Sequence, residues 1–177
     1  MRCFIAIPLA DELRDLLSAS LSSSDRPRSV RRIDDALWHL TVAFLGDIVE
    51  GSIPKIIKAL SYIRDCPGTI ALHSFETFPA HRRSLIVAAG SAEPAGDWNA
   101  FVQDIRNAVR PYAPGMDEKA WHAHITLCRA NKNEMLPPWR KDFGPVTWKP
   151  GGFALIQSAL SETGPIYRTL HEFPFKH

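Results

Sequence analysis

Little in this sequence of 177 residues is in excess, and its shortages exclude several classes of protein. Cysteine is scarce: Cys3, Cys66 and Cys128 are odd in number, scattered, and form no C-x-x-C pair. That pattern excludes a disulfide framework and predicts reduced, mostly buried thiols in a cytoplasmic protein. Long apolar runs are missing too. Mainly apolar stretches such as Leu40 to Leu45 and Leu85 to Ala89 fall far short of the roughly 20 residues that cross a bilayer. The opening Met1-Arg2-Cys3-Phe4-Ile5-Ala6-Ile7-Pro8 has no signal-peptide apolar region or cleavage site, since charge returns at Asp11. Neither sign of charge dominates, with 21 basic against 19 acidic residues and a net charge of +2. A protein that grips a long duplex shows a stronger basic excess, so only contact with a few phosphates at one end of a nucleic acid stays open. No membrane surface is expected as a partner.

What is present is close to average. Apolar residues at 45% and charged residues at 23% match a globular domain and exclude disordered, collagen-like and coiled-coil chains. At this length roughly 70% of the unfolded surface can be buried, so neither disulfides nor metals are needed for folding. Residues 1–177 are expected to form one domain built from two halves.

Short β-like and helical segments alternate along the chain. Arg2 to Ile7 reads as a strand stopped by Pro8, followed by a helix capped by Asp11 with Leu13, Leu16, Leu17 and Leu21 at helical spacing. Ser29 to Ile33 suits a short edge strand, and Trp38 to Leu45 a strong one ended by Gly46-Asp47. Ser52 is expected to cap a second helix carrying Pro54 in its first turn. Thr69 to Phe78 and Ser84 to Gly90 read as strands, and Asp97 to Arg110 as a helix with an apolar stripe from Trp98 to Val109. Trp121 to Arg129 is another strand and Asn131 to Lys141 a polar loop. Gly152 to Leu160 and Ile166 to Phe175 close the fold around a Gly164-Pro165 turn. Eight strands and three helices in this order predict an α+β fold rather than strict βαβ repetition.

The informative feature is a repeat. His39-Leu40-Thr41-Val42 and His124-Ile125-Thr126-Leu127 share the pattern His-x-Thr-aliphatic, one in each half, and a Trp (Trp38, Trp121) opens each. Such repetition marks two pseudo-equivalent lobes. Side chains alternate along a strand, so His39 and Thr41 share one face while Leu40, Val42 and Phe44 are expected on the other, in the core. His124 and Thr126 likewise share a face. A lone strand histidine is usually a hydrogen-bonded structural residue, but two at matching positions ask for another explanation. Facing each other across a cleft, they supply one general base and one general acid near neutral pH. The two threonine hydroxyls can donate to phosphoryl oxygens. This set suits metal-free phosphodiester hydrolysis, in which one histidine activates water and the other protonates the departing ribose oxygen.

On these motifs the sequence resembles the two-histidine (2H) phosphoesterases, specifically the RNA 2′,3′-cyclic phosphodiesterases also called 2′-5′ RNA ligases. The likeness runs from Arg2-Cys3-Phe4-Ile5-Ala6-Ile7, through His39 to Gly46, to Phe78-Pro79 with Arg82-Arg83. It continues over His124-Ile125-Thr126-Leu127-Cys128-Arg129 and Ser158-Ala159-Leu160 with Gly164-Pro165-Ile166-Tyr167. Ala123 stands where a Pro commonly precedes the second His, Arg32 where an aromatic is usual, and Ser84 in place of a frequent Pro. The resemblance implies a bilobal α+β fold, two pseudo-symmetric antiparallel β-sheets backed by helices around a central cleft. It implies opening of a 2′,3′-cyclic phosphate at an RNA 3′ end to a 2′-phosphomonoester, with no cofactor, by a monomer. His39 would be the proton donor and His124 the acceptor, with reversible 2′-5′ ligation as a side reaction. Small cyclic nucleotides or 2′-5′ oligonucleotides are alternative substrates, and a non-catalytic RNA-end-binding module is a reading from another class.

Arg129 falls by parity on the face opposite His124. The phosphate-binding role that the resemblance implies therefore needs a bulge or a strand end to re-aim it. Arg82 and Arg83 are candidates for RNA phosphates, and Phe44 and Tyr167 for stacking on a base. His122 shares the face of His124, but no Cys, Asp or Glu lies at ligand spacing, so no metal site is expected. His73, His81, His171 and His177 have no partner pattern.

Overall fold

The computed structural model describes residues 1–21, 27, 30–78, 85–91, 97–131, 134, 136–161 and 164–176. In chain order the elements are β1 (Arg2–Pro8), α1 (Asp11–Leu21), β2 (Val30–Arg32), β3 (His39–Asp47), α2 (Ile53–Leu60) and β4 (Ile70–Phe78). Then come β5 (Leu85–Ser91), α3 (Trp98–Val109), β6 (His124–Ala130), β7 (Arg140–Trp148), β8 (Gly152–Ser161) and β9 (Gly164–Pro174). Strands lie in the order β7-β4-β5-β6-β3-β1-β8-β9, all antiparallel, with β2 added to β6.

The sheet is two antiparallel halves that meet along β3 and β6. Within each half, neighbouring strands share long runs of partners, but β3 and β6 share the single pair Leu40↔Ile125. The halves are built alike. In one, β1 leads through α1 to β3, its antiparallel neighbour; in the other, β5 leads through α3 to β6. Pro8 pairs His39 and Ala6 pairs Thr41, while Ala89 pairs His124 and Val87 pairs Thr126. An approximate dyad through the Leu40–Ile125 pair therefore exchanges the two His-x-Thr motifs.

The helices cover one face. α1 buries Leu13, Leu17 and Leu21 at spacing four, and α3 buries Trp98, Phe101, Val102, Ile105 and Val109. They close over Ile5, Ile7, Leu40, Leu45, Ile125 and Leu127 in one apolar cluster. On the other face Phe4, Ala6, Ala154 and Ile156 form a second, small cluster with Tyr167. β1 is thus buried on both faces, which is why its interior reads as a continuous apolar run. Gly46 ends the first motif at φ +74, where a Cβ would come within 3.0 Å of the Gly115 carbonyl. The turn to Asp47 needs both the left-handed backbone and the missing side chain.

Three local expectations are corrected. Asp11 is inside the first turn of α1, where it pairs with Arg14, and Ala10 accepts the first helical bond from Arg14. Ser52 precedes α2 but makes no side-chain capping bond; a short 3₁₀ turn over Glu50–Ser52 leads into the helix instead. β7 takes up the end of the expected polar loop and runs on to Trp148. It is an exposed edge strand on β4, broken in register around Gly144-Pro145, which its polar sequence concealed.

Candidate active site

His39 and His124 begin β3 and β6, and each is fixed in the same way. The Nδ1 of His39 lies 2.7 Å from the Leu37 carbonyl, and that of His124 lies 2.9 Å from the His122 carbonyl. A carbonyl can only accept, so in both rings Nδ1 is the donor. Nε2 is left as the atom that gives or takes a proton. The i−2 carbonyl thus sets tautomer and ring direction together, twice.

Leu40 and Ile125 are fully buried under the helices, whereas His39, Thr41, His124 and Thr126 are half-buried on the other face. Extending the Leu40↔Ile125 register by one residue puts Thr126 opposite His39 and Thr41 opposite His124. The two histidines then occupy diagonal positions, which on a regular ladder lie about 7–8 Å apart. A phosphoryl group fits between two imidazoles at such a spacing. Burial lowers the pKa of His39 below the usual histidine range, and the His124 charge lowers it further. The Leu37 carbonyl opposes that shift.

Aromatic rings wall the site on both sides. His39 lies 4.9 Å from the Phe4 ring and 5.4 Å from Tyr167, which meets it edge-on. His124 lies 5.4 Å from Phe78. Trp121 ties the halves together: its indole N–H donates to the Thr41 carbonyl at 2.9 Å, and its ring stacks on Trp98 at 5.9 Å. Sequence reasoning noted Trp121 as a flank of its motif but had no signal for this bond, which spans the two halves.

Two β-bulges re-aim side chains that parity misplaces. In β3, Ala6 pairs Thr41 and Ile5 pairs Ala43, so Val42 is an extra residue and the alternation reverses beyond it. Phe44 is therefore not in the core as expected. It is 54% exposed, on the His39 face, with its ring 6.2 Å from Phe4. In β6, Val87 pairs Thr126 and Ile86 pairs Cys128, so Leu127 is extra and both Leu127 and Cys128 are buried. Arg129 then emerges, exposed, on the face of Thr126; burial raises the Tyr167 phenol above its usual range, and the Arg129 charge opposes that shift. This is the bulge that its expected role required.

Arg32, in the position where an aromatic is usual, makes a two-pronged pair with Asp35 at 2.9 and 2.6 Å and bonds Ser18. Its guanidinium lies 5.1 Å over the Trp38 ring. Ala123 is buried just before His124. His122 is exposed, 6.1 Å from Phe78, and among the described residues no three His, Cys, Asp or Glu side chains cluster. Arg82, Arg83, Ser84, His81 and His177 lie outside the described residues. His171 packs on Phe173 and His73 meets Ser74.

Comparison with known proteins adds the following. The LigT like Phosphoesterase family matches residues 7–87. An Aquifex aeolicus protein named RNA 2′,3′-cyclic phosphodiesterase is 31% identical over 146 residues, covering 76% of this chain and 76% of its own. An Archaeoglobus fulgidus protein of the same name is 26% identical over 179 residues, covering 98% and 99%. A crystal structure from Thermus thermophilus superposes with a TM-score of 0.84 at 26% identity, over 100% of both chains.

Proposed function

Since the chain belongs to the LigT-like phosphoesterases, we propose that it hydrolyses 2′,3′-cyclic phosphates at RNA 3′ ends to 2′-phosphomonoesters. The observation that carries this reading is the doubled His-x-Thr motif with both Nδ1 atoms pinned by i−2 carbonyls. The relatives' names supply the substrate class.

In the proposed reaction His124 Nε2 takes a proton from water as its oxygen attacks phosphorus. The P–O3′ bond breaks and His39 Nε2 delivers a proton to O3′, leaving a 2′-phosphate and a free 3′-hydroxyl. Thr41 and Thr126 donate hydrogen bonds to the phosphoryl oxygens, whose charge grows in the transition state. No step requires a metal. A proton donor must be charged, yet burial holds His39 toward its neutral form in the free protein. The anionic phosphodiester supplies the missing counter-charge, so His39 takes up its proton as substrate binds. A 5′-hydroxyl attacking in place of water would form a 2′-5′ linkage as the same P–O3′ bond breaks, a reversible competing reaction that water disfavours by its concentration. Residues 1–177 act in this reaction as one bilobal, monomeric unit. Its placement in the cytoplasm is part of the same proposal; no described helix is long and apolar enough to cross a membrane.

Turnover of a nucleoside 2′,3′-cyclic phosphate in excess EDTA tests the reading. Hydrolysis to the 2′-phosphate is expected to persist. No turnover would support a binding module instead, and loss that zinc or magnesium restores would overturn the metal-free mechanism.

A further inference from the structure

Beside His39 lies a groove of about 400 Å³ that the reaction as described does not use. Its walls include Leu37, whose carbonyl holds His39, and Tyr167, whose ring packs against His39. Arg31 and Arg129 line it from one side, and Pro165 and the exposed Ile166 of β9 line it from the other. The two arginines are direct cross-strand partners in the β2–β6 pair, and both are exposed. Like charges directly opposite each other on a sheet destabilise it unless something answers them.

Nothing in the described protein does. Arg32 is neutralised by Asp35, and the Asp34 carboxylate, also at the groove, caps the Ala36 N–H. Among the described residues neither Arg31 nor Arg129 has an ion pair with a carboxylate. Two guanidinium forks with an apolar wall opposite suit one phosphate and the sugar or base attached to it. A nucleotide that ends in a 2′,3′-cyclic phosphate has only one covalent neighbour along the chain, the phosphodiester on its own 5′ oxygen.

We infer that this groove is a subsite for that 5′ phosphodiester, held between Arg31 and Arg129, and that the protein thereby selects a cyclic phosphate on an RNA chain over one on a free nucleoside. The inference rests on the proposed phosphodiesterase reading for its choice of ligand, but it is tested apart from turnover. Adenosine 2′-phosphate and adenosine 2′,5′-bisphosphate differ only in the 5′ phosphate, and their dissociation constants can be compared by calorimetry. The wild-type protein is expected to bind the bisphosphate about ten- to a hundredfold more tightly, the scale of one charge-assisted hydrogen bond. Arg31→Gln should erase that gain, and Arg31→Lys should keep part of it as a point charge without the fork. In turnover, a dinucleotide ending in a cyclic phosphate should show a kcat/KM advantage over the nucleoside cyclic phosphate, and Arg31→Gln should lose it. Equal wild-type affinity for the two ligands would overturn the subsite. So would an Arg31→Gln variant that weakens both ligands alike. If neither cyclic phosphate is turned over, the catalytic reading fails while the calorimetric comparison still decides the subsite.

Discussion

The His39 half and the His124 half carry the same tetrapeptide, the same strand position and the same Nδ1 anchor, yet they give their imidazoles different surroundings. His39 enters next to β1, a strand buried on both faces, and sits between Phe4 and Tyr167 with a part-buried anchoring bond. His124 starts β6 beside Phe78, and its anchoring bond is exposed. The tryptophans differ too. Trp121 donates across the halves to Thr41, while the buried indole nitrogen of Trp38 has no partner among the described residues. A repeated motif sets geometry, whereas the flanking strands set the surroundings of each ring. Burial beside β1 holds the His39 imidazolium below the usual histidine range, so its proposed acid role depends on the counter-charge that substrate brings.

The largest expected effect comes from deleting either imidazole. His39→Ala and His124→Ala should each lower kcat by about 10²–10⁴-fold, the scale of general acid–base catalysis. Steady-state kinetics of the double variant should show far less than the product of the single losses, because both groups act in one transition state. Multiplicative losses would mean that the halves act independently.

Next in size are the hydroxyls. Thr41→Ala and Thr126→Ala should each cost roughly 1.5–3 kcal/mol of transition-state stabilisation, read from kcat/KM, as for a hydrogen bond to a charged group. Losses that differ widely between the two would show that the dyad does not extend to the phosphate oxygens.

Trp121→Phe keeps the ring near Trp98 but removes the N–H that reaches Thr41. Losing that bond should lower unfolding stability by about 0.5–1.5 kcal/mol in denaturant titration. Trp38→Phe should cost less, since its N–H makes no bond among the described residues.

The smallest effect is a pH dependence of stability. Because His39 in the folded protein lies below its ordinary value, the unfolded chain binds the proton more readily. Stability from this group is therefore complete above the ordinary histidine pKa near 6.5 and is lost as pH falls through it toward the folded value. Unfolding midpoints from pH 7.5 down to about 5 should decline in the wild type, and more shallowly in His39→Ala. An unchanged slope would place the difference between the halves elsewhere.

Much of this was legible in the chain. The His-x-Thr repeat, the leucine spacing of α1, Pro54 in the first turn of α2 and the Trp98 to Val109 stripe of α3 announced the halves, the three helices and the four residues of the candidate site. What escaped was whatever depends on an irregularity in pairing. Strict alternation placed Phe44 in the core, and only the extra residue at Val42 puts it on the cleft face. The same logic made Arg129's direction conditional on a bulge, and the pairing of β5 with β6 supplies one at Leu127. β7 was hidden because an exposed edge strand with Gly144-Pro145 carries neither alternation nor β-branched density. The bond from Trp121 to Thr41 spans 80 residues, and no local pattern encodes it.

In the proposed reaction two differently housed histidines divide acid and base work at one phosphate. The pH dependence of kcat/KM for a nucleoside 2′,3′-cyclic phosphate, measured for the wild type, His39→Ala and His124→Ala, tests this division most directly. A bell is expected for the wild type, with the loss of one limb in each variant, a different limb in each. The limb missing from His39→Ala is expected to lie at higher pH in the wild-type kcat profile than in kcat/KM, because bound phosphate restores the His39 proton. A flat wild-type profile across the histidine range, or a bell that survives in both variants, would contradict this division.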